Sequence, residues 1–209
     1  MERTSEQGQE FFVLKHTGNK QNGYFVDIGA ADGITASNSF VLEKWNRWNG
    51  ICVDPNPVFL QSLYNCRDSI VSTLCVYNTS GQILPFKFFD DEQGFYGWNF
   101  RSGISSHVGD IFPEVKKSFR EINVYTISLN DLLKLYNAPS NIDYISIDTE
   151  GSEYEIIKTF DFKKYNVKCF TIEHANAPFR DDIYNIMISN GYRRADNEQP
   201  DNEDWYVKV

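Results

Sequence analysis

The sequence predicts an α/β protein: a three-layer sandwich with helices on both faces of a mainly parallel sheet and an antiparallel strand at the C-terminal end. Two observations carry this prediction. Short apolar runs alternate along the chain with segments of helical length, which is typical of parallel strands covered on both sides. Polar residues such as Asp54 and Asp148 directly follow these runs, as expected where ligands bind beyond the carboxyl ends of strands.

Strands are predicted where short runs are rich in apolar residues and end at turn-forming residues. The clearest is the segment 24–28, Tyr-Phe-Val-Asp-Ile. The next strand stops at Asp54-Pro55-Asn56-Pro57, because proline cannot continue a strand ladder. The predicted strands cover residues 24–28, 51–53, 70–77, 84–89, 124–128, 144–147, 167–173 and 205–209.

Helices are predicted between these strands from apolar spacing and from end signals. Val41, Trp45 and Trp48 fall near one face of a helix. Ser152 and Glu155 have the spacing of a capping box at the start of another. One helix is predicted to end near residue 14, and the others cover 37–48, 58–66, 129–135, 153–160 and 181–190.

Composition bounds the kind of protein. A chain of 209 residues suits one domain, or one catalytic domain of a larger protein. The net charge of −9, without a dense Lys/Arg run, argues against a nucleic-acid partner, and four cysteines without a C-x-x-C pair argue against structural zinc. No apolar run approaches the roughly 20 residues that span a bilayer, and residues 1–10 lack the apolar core of a signal peptide. We therefore expect a single soluble domain over 1–209 that is not inserted in a membrane and acts in the cytoplasm (of the host, if the chain is viral).

The first predicted strand leads into the loop Gly29-Ala30-Ala31-Asp32-Gly33. Gly29 and Gly33 permit a tight turn and the close approach of a ligand to the backbone. The loop lacks the complete G-x-G-x-x-G fingerprint, which disfavours the pyrophosphate of a nicotinamide dinucleotide. Asp27 and Asp32 instead suit the ammonium group of S-adenosylmethionine, although the loop is also explained as a plain structural turn.

Asp54 follows the second predicted strand, about 20 positions after Gly33. An acidic residue at that point can accept hydrogen bonds from both ribose hydroxyls of an adenosine moiety. The alternative is an ordinary turn aspartate before Pro55. Together with the first loop, Asp54 favours a nucleoside-containing cofactor.

Several segments together resemble the FkbM family of methyltransferases. Those similar to its cofactor-binding half are 23–33, Ser37-Asn38-Ser39, Leu42-Glu43-Lys44 and 50–57. The segment 5–14 is similar to the family's N-terminal segment, and 142–162, which contains Ile-Asp-Thr-Glu-Gly-Ser-Glu-Tyr-Glu-Ile-Ile-Lys, resembles its second signature. The resemblance covers most of the chain except the middle. It implies a class I (Rossmann-like) methyltransferase fold and O-methylation, frequently of sugars or sugar-bearing products, with S-adenosylhomocysteine as the second product.

The residue types and the resemblance together define a predicted cofactor site. Its members are Gln9, Asp27, Gly29, Ala30, Asp32, Gly33, Ser37, Asn38, Asp54, Pro55, Asn56, Asn78 and Asp148.

The predicted catalytic residues follow the strands 144–147 and 167–173. A sugar hydroxyl is a weak acid, so a base near the transferred methyl group must take its proton. Asp148 is the leading base or acceptor-orienting residue, supported by Glu150; the alternative is that Asp148 caps the turn and Glu150 favours the helix dipole. His174 is a second candidate base, and Glu173 would orient it or bind a substrate hydroxyl. Asp148, Glu150 and Glu173 could instead hold a divalent cation, which the sequence leaves open and does not favour.

Residues 90–113 are rich in Gly, Ser and aromatic residues, and a connection of this length predicts a lid or substrate loop. Its aromatic side chains would pack on the C–H faces of a sugar, or merely cover the edge of the sheet. The predicted substrate-binding residues are Trp98, Arg101, Ser105, Ser106, His107 and Glu150.

Three functions are therefore compared. The leading one is an S-adenosylmethionine-dependent O-methyltransferase acting on a sugar or glycan, for example a deoxysugar such as rhamnose. A nicotinamide-dependent oxidoreductase is the second, and the incomplete phosphate fingerprint speaks against it. A non-catalytic interaction module that keeps the fold is the third, and it would bind neither cofactor nor product.

Overall fold

We describe a computed structural model of the chain over residues 4–89, 101–108, 119–175, 177–196 and 198–209. Its helices are α1 (Gln9–His16), α2 (Phe40–Asn46), α3 (Leu60–Cys66), α4 (Leu129–Leu135), α5 (Glu153–Ile157) and α6 (Arg180–Ser189). Its strands are β1 (Tyr24–Ile28), β2 (Asn49–Val53), β3 (Ile70–Ser72), β4 (Cys75–Tyr77), β5 (Ile83–Phe89), β6 (Gly103–Ile104), β7 (Phe119–Ser128), β8 (Asn141–Ile147), β9 (Asn166–Glu173), β10 (Tyr192–Arg194) and β11 (Glu203–Lys208). Within these ranges no helix is both long and apolar enough to cross a membrane.

The main sheet has the strand order β10-β11-β9-β8-β1-β2-β3. The five strands from β9 to β3 run parallel, whereas β11 is antiparallel to β9 and to β10. The chain builds outward from β1 in one direction through β2 and in the other through β8, so β1 is where the strand order reverses. Ligands of open α/β sheets bind beyond the carboxyl ends of the strands at such a point. The predicted mainly parallel sheet with its antiparallel C-terminal strand is confirmed.

Helices cover this sheet on both faces. Residues of α1, α2 and α3, among them Leu42 and Leu63, belong to one buried cluster. Residues of α4, α5 and α6, among them Leu132, Ile156 and Met187, belong to another. These two clusters bury opposite faces of β1 and β8, and the predicted three-layer arrangement is confirmed.

A smaller second sheet, which the sequence did not predict, has the order β4-β7-β5-β6. The strands predicted over 84–89 and 124–128 belong to it and pair with each other in antiparallel fashion. The single strand predicted over 70–77 is wrong, because β3 lies in the main sheet and β4 in the second. The Ser72 hydroxyl accepts a hydrogen bond from the Leu74 amide at 3.4 Å, and this local side-chain bond marks the turn between the two sheets.

Candidate functional site

A cleft of about 950 Å³ lies beyond the carboxyl ends of β1, β2, β8 and β9. Its volume is in the range of small-molecule and cofactor sites. The predicted site residues that line it are Gln9, Asp27, Gly29, Ala30, Ser37, Asn38, Asp54, Pro55, Arg101, Ser106, His107, Asp148, Glu150, Glu173 and His174.

Asp54, directly after β2, is held rigidly by the backbone around it. Its Oδ2 accepts a hydrogen bond from the Ala31 amide and its Oδ1 one from the Asn56 amide, both at 2.8 Å. Burial raises the pKa of Asp54 to about 6, although these two bonds lower it. Each carboxylate oxygen keeps a further lone pair, so two adjacent hydroxyl groups of a ligand can bind here.

Gly29 meets a steric requirement in addition to the predicted tight turn. A Cβ atom at Gly29 would lie 1.7 Å from the backbone oxygen of Asp148, and its φ is +86°. The glycine therefore lets the loops after β1 and β8 cross in contact. Gly33 does not line the cleft. It packs against α3, where a Cβ at Gly33 would lie 2.7 Å from Leu63 Cδ1. At both glycines, the atoms that approach most closely belong to neighbouring residues of the protein, Asp148 and Leu63.

A buried arginine that no sequence pattern predicted, Arg67, binds the loop that follows β1. The Arg67 side chain is fully buried, and its Nη1 donates to the Gly33 oxygen at 3.1 Å and to Ser37 Oγ at 3.2 Å. Its Nε donates to Glu43 Oε2 at 2.9 Å. Burial raises the pKa of Glu43, but the Arg67 charge and the hydrogen bonds that Glu43 accepts from its neighbours together outweigh burial, and the net result is a pKa of about 2. The loop after β1 is therefore bound by Arg67, whose charge is neutralised by Glu43.

Asp148 and Glu173 form an acidic pair at the base of the cleft. Their carboxyl groups share a hydrogen bond, and burial together with the neighbouring carboxylates raises both pKa values. Two adjacent carboxylates cannot both ionise easily, so the pair retains a proton at neutral pH. Glu150 lies beside them, and burial and Glu153 raise its pKa to about 7.

Glu153, rather than Glu155, organises the turn between β8 and α5. Its Oε1 accepts hydrogen bonds from the Thr149 amide at 2.9 Å and the Gly151 amide at 3.0 Å. The predicted capping box of Ser152 and Glu155 is wrong, because Ser152 donates to Thr149 instead. Glu153 thus fixes the segment that carries Asp148.

His174 lies at the wall of the cleft and is turned towards a buried acid. Its Nε2 is 3.5 Å from Asp204 Oδ1, and both side chains are about 1% exposed. Burial raises the pKa of Asp204, but hydrogen bonds from His174 and Arg180 outweigh burial and hold the pKa well below its usual range. This arrangement favours a structural role for His174 over that of the catalytic base.

Two predicted cofactor residues lie in turns outside the cleft lining. Asp32 Oδ1 accepts hydrogen bonds from the amides of Ile34 and Thr35, at 2.9 and 2.8 Å, because the chain turns sharply there. Asn56 is buried, and its Nδ2 donates to Ser102 Oγ at 3.1 Å. Asn56 therefore ties the loop after β2 to the segment above the cleft, and Asp32 shapes the loop after β1.

Two further predicted residues, Asn78 and Ser105, do not line the cleft. Asn78 Nδ2 donates to Glu155 near α5. Ser105 Oγ donates to Glu121 Oε2 at 2.8 Å on the exposed side of the second sheet. Both assignments are corrected, because these side chains are used in contacts between elements. Trp98 lies outside the described residues.

Residues 101–108 cover part of the cleft, in the described portion of the predicted lid. Gly103 and Ile104 pair with β5, and a Cβ at Gly103 would meet the Thr149 oxygen at 2.9 Å. His107 Nε2 lies 3.0 Å from the Tyr77 hydroxyl. The second sheet therefore supplies a roof, defined here as residues 101–108, over the turn that follows β8.

Acidic side chains dominate this cleft, yet over the ranges that the structure describes no three His, Cys, Asp or Glu residues are grouped to hold a metal ion. The described residues therefore add no support to the divalent cation that the sequence left open.

Comparison with known proteins decides the family. The model of the methyltransferase FkbM domain matches residues 27–194. The chain belongs to the FkbM methyltransferase family. The class I methyltransferase fold implied by the sequence resemblance is confirmed, and the nicotinamide-dependent alternative is set aside because this is a methyltransferase family.

Solved structures of methyltransferases also resemble this FkbM-family chain. Precorrin-6y C5,15-methyltransferase from Geobacter metallireducens GS-15 is 10% identical, with a TM-score of 0.49 over 95% of this chain and 87% of the other. A methyltransferase from Pyrococcus furiosus is 14% identical, with a TM-score of 0.41 over 95% of this chain and 81% of the other. A comparison with curated protein sequences found no match.

Proposed function

We propose that this FkbM-family chain transfers a methyl group from S-adenosylmethionine to a hydroxyl group of a sugar or glycan. The observation that carries the proposal is that one cleft contains both Asp54, whose oxygens suit the two hydroxyls of a ribose, and the proton-sharing pair Asp148 and Glu173. Methyl transfer to a hydroxyl needs both: an anchor for the donor and a group that takes the hydroxyl proton.

The residues of the cleft fit the proposed cofactor. S-adenosylmethionine supplies an electrophilic methyl group on a positively charged sulfur. The oxygens of Asp54 are directed by two backbone amides and can accept the two ribose hydroxyls. At the other side of β1, Asn38 Oδ1 is a buried acceptor in the same cleft, without a hydrogen-bond partner among the described residues. Acidic lining residues suit a cationic ligand.

The Asp148–Glu173 pair suits the proton transfer. An ordinary carboxylate is a weak base for a sugar hydroxyl, and a raised pKa gives the pair a higher proton affinity. Both carboxyl groups line the cleft, and the Glu153 contacts hold the turn that directly follows Asp148. We assign the base to this pair in its singly ionised form, in which one carboxylate takes the hydroxyl proton while the other keeps the retained proton; Asp148 is the leading residue and Glu173 its partner.

The acceptor side of the cleft offers hydrogen bonds rather than a closed apolar wall. Glu150 and Glu173 can accept from sugar hydroxyls, and Arg101, Ser106 and His107 can donate. This set is more suited to a polyhydroxylated acceptor than to an apolar one. A deoxysugar such as rhamnose is one candidate acceptor.

The test is methyl transfer from isotopically labelled S-adenosylmethionine to a panel of mono- and oligosaccharides, with a nucleic-acid oligomer as control acceptor. We expect label in a new O–CH₃ group, identified by NMR, on a saccharide only. Parallel reactions with EDTA address a metal requirement, and Asp148→Asn is the inactive control. Labelling on nitrogen or carbon, or no binding of S-adenosylhomocysteine in calorimetry, contradicts the proposal.

A further inference from the structure

Asn38 carries a buried acceptor that faces the cleft. The residue is 8% exposed, lines the cleft and precedes α2. Its Nδ2 donates to Ser146 Oγ at 2.9 Å in β8. Its Oδ1 has no hydrogen-bond partner within the described part of the chain. Buried polar atoms are rarely left in this state, so a ligand donor is expected at Oδ1.

The hydrogen bonds around Ser146 fix which end of the Asn38 amide faces the cleft. Ser146 Oγ accepts hydrogen bonds from Asn38 Nδ2 at 2.9 Å and from Thr171 Oγ1 at 3.4 Å. Next to it, Asp27 accepts a hydrogen bond from the Ser39 hydroxyl. Nδ2 therefore points to Ser146, and Oδ1 is the atom left for a ligand.

The surroundings select the chemistry of that ligand group. Oδ1 can only accept, and the neighbouring Asp27 carboxyl, 2% exposed, also lines the cleft. A carbonyl oxygen beside a carboxyl group favours a positively charged N–H donor over an anion or an apolar group. An ammonium group meets this requirement, because it has three donors and no acceptor.

The strand order gives the position of this group relative to Asp54. Asn38 is anchored on β8, whereas Asp54 follows β2, and the two strands flank β1. Neighbouring strands lie about 4.8 Å apart, so the two anchor points are about 10 Å apart across the sheet. A ligand that reaches both is elongated, with hydroxyl groups at one end and a cationic nitrogen at the other.

We propose that Asn38 Oδ1 binds the α-ammonium group of the methionine end of the cofactor and thereby makes the cleft selective for amino-acid-bearing nucleosides. This inference rests on the proposed function. It assigns the atom that distinguishes S-adenosylhomocysteine from nucleosides that share its adenosine and sulfur but lack the amino acid.

The test compares calorimetric affinities of wild type and Asn38→Ala for three probes. The probes are S-adenosylhomocysteine, its analogue with hydrogen in place of the α-amino group, and 5′-methylthioadenosine, which lacks the amino-acid end. For Asn38→Ala we expect about 10- to 100-fold weaker binding of S-adenosylhomocysteine, as for a hydrogen bond to a charged group. Binding of the other two probes should stay within twofold of wild type. The losses of binding free energy caused by removing Oδ1 and by removing the amino group should be non-additive, because both changes break the same contact.

A second variant separates binding from folding. Asn38→Asp keeps an acceptor oxygen at this position and should bind S-adenosylhomocysteine within about threefold of wild type. Equal weakening of all three probes by Asn38→Ala would overturn the inference in favour of a structural role. Unchanged affinity for S-adenosylhomocysteine would overturn it in favour of a water molecule at Oδ1. If wild type binds neither S-adenosylhomocysteine nor 5′-methylthioadenosine, the proposed function itself fails.

Discussion

The affinity for S-adenosylhomocysteine should fall as the pH is lowered through the titration of Asp54. Hydrogen bonds from both ribose hydroxyls require an ionised carboxylate, since a protonated one spends an oxygen on its own hydrogen. Burial raises the pKa of Asp54 to about 6, and the two backbone amides that bind its oxygens do not offset the burial. Binding is therefore strongest above pH 6 and weakens as the pH falls below it.

The magnitude follows from the fraction ionised. With a pKa of about 6, Asp54 is ionised in about 90% of molecules at pH 7 and in about 10% at pH 5. The apparent dissociation constant scales inversely with the competent fraction, so it should rise about tenfold between these pH values. The amino acid and nucleoside groups of S-adenosylhomocysteine do not titrate in this window.

Calorimetry at half-unit steps from pH 5 to pH 8 measures the slope, and Asp54→Asn provides the matched control. The asparagine keeps one acceptor oxygen but cannot ionise, so its affinity should be lower and flatter with pH. The pKa values of Glu150 and Glu173, raised to about 7 and about 8, also fall in this range, and the pH profile of Asp54→Asn measures their contribution. Equal slopes in wild type and Asp54→Asn would refute the assignment of Asp54 to the ribose.

The remaining predictions concern catalysis, the acceptor and the loop crossing. Asp148→Asn should lower kcat by about 10²- to 10⁴-fold with the affinity for S-adenosylhomocysteine within threefold, and a normal kcat would remove Asp148 as the base. Tyr77→Phe removes the hydroxyl 3.0 Å from His107 and should raise the acceptor KM about fivefold in steady-state assays; an unchanged KM would separate His107 from acceptor binding. Gly29→Ala should cost about 3 kcal/mol or more in urea unfolding, because both the positive φ and the Asp148 oxygen oppose a Cβ. Gly81→Ala, with a φ of +82° and nothing within 4 Å, should cost about 1 kcal/mol, and equal losses would rule out the loop crossing as the cause.

The part of the site that the sequence predicted consists of residues at strand ends. Asp54 and Asp148 each follow an apolar run, and in a parallel sheet the carboxyl ends of the strands lie at one edge. The order of polar and apolar residues along the chain is enough to place both residues at that edge. The orientation of the side chains is not needed for this, so the position of these two residues at the cleft could be predicted.

Orientation was beyond sequence reasoning. Asp27 lies in β1 and Asp32 in the loop that follows it, yet Asp32 accepts backbone amides of a turn whereas Asp27 lines the cleft. The role of Arg67 could not be predicted, because its partners Gly33 and Glu43 are more than 20 residues away along the chain. The split of segment 70–77 was missed for a similar reason: both halves are apolar, and only pairing assigns them to different sheets.

The division into two sheets has a consequence for how specificity can change. Asp54 and Asp148, which we propose bind the cofactor and take the proton, follow strands of the main sheet, whereas the roof belongs to the second sheet, formed by β4 to β7. The two sheets are joined where Asn56 donates to Ser102. Changes in the second sheet that keep this contact should alter the acceptor side of the proposed site and leave Asp54 in place. We therefore expect chimaeras that exchange residues 78–128 between family members, with Ser102 retained, to keep their affinity for S-adenosylhomocysteine while taking on the acceptor preference of the donor of that segment.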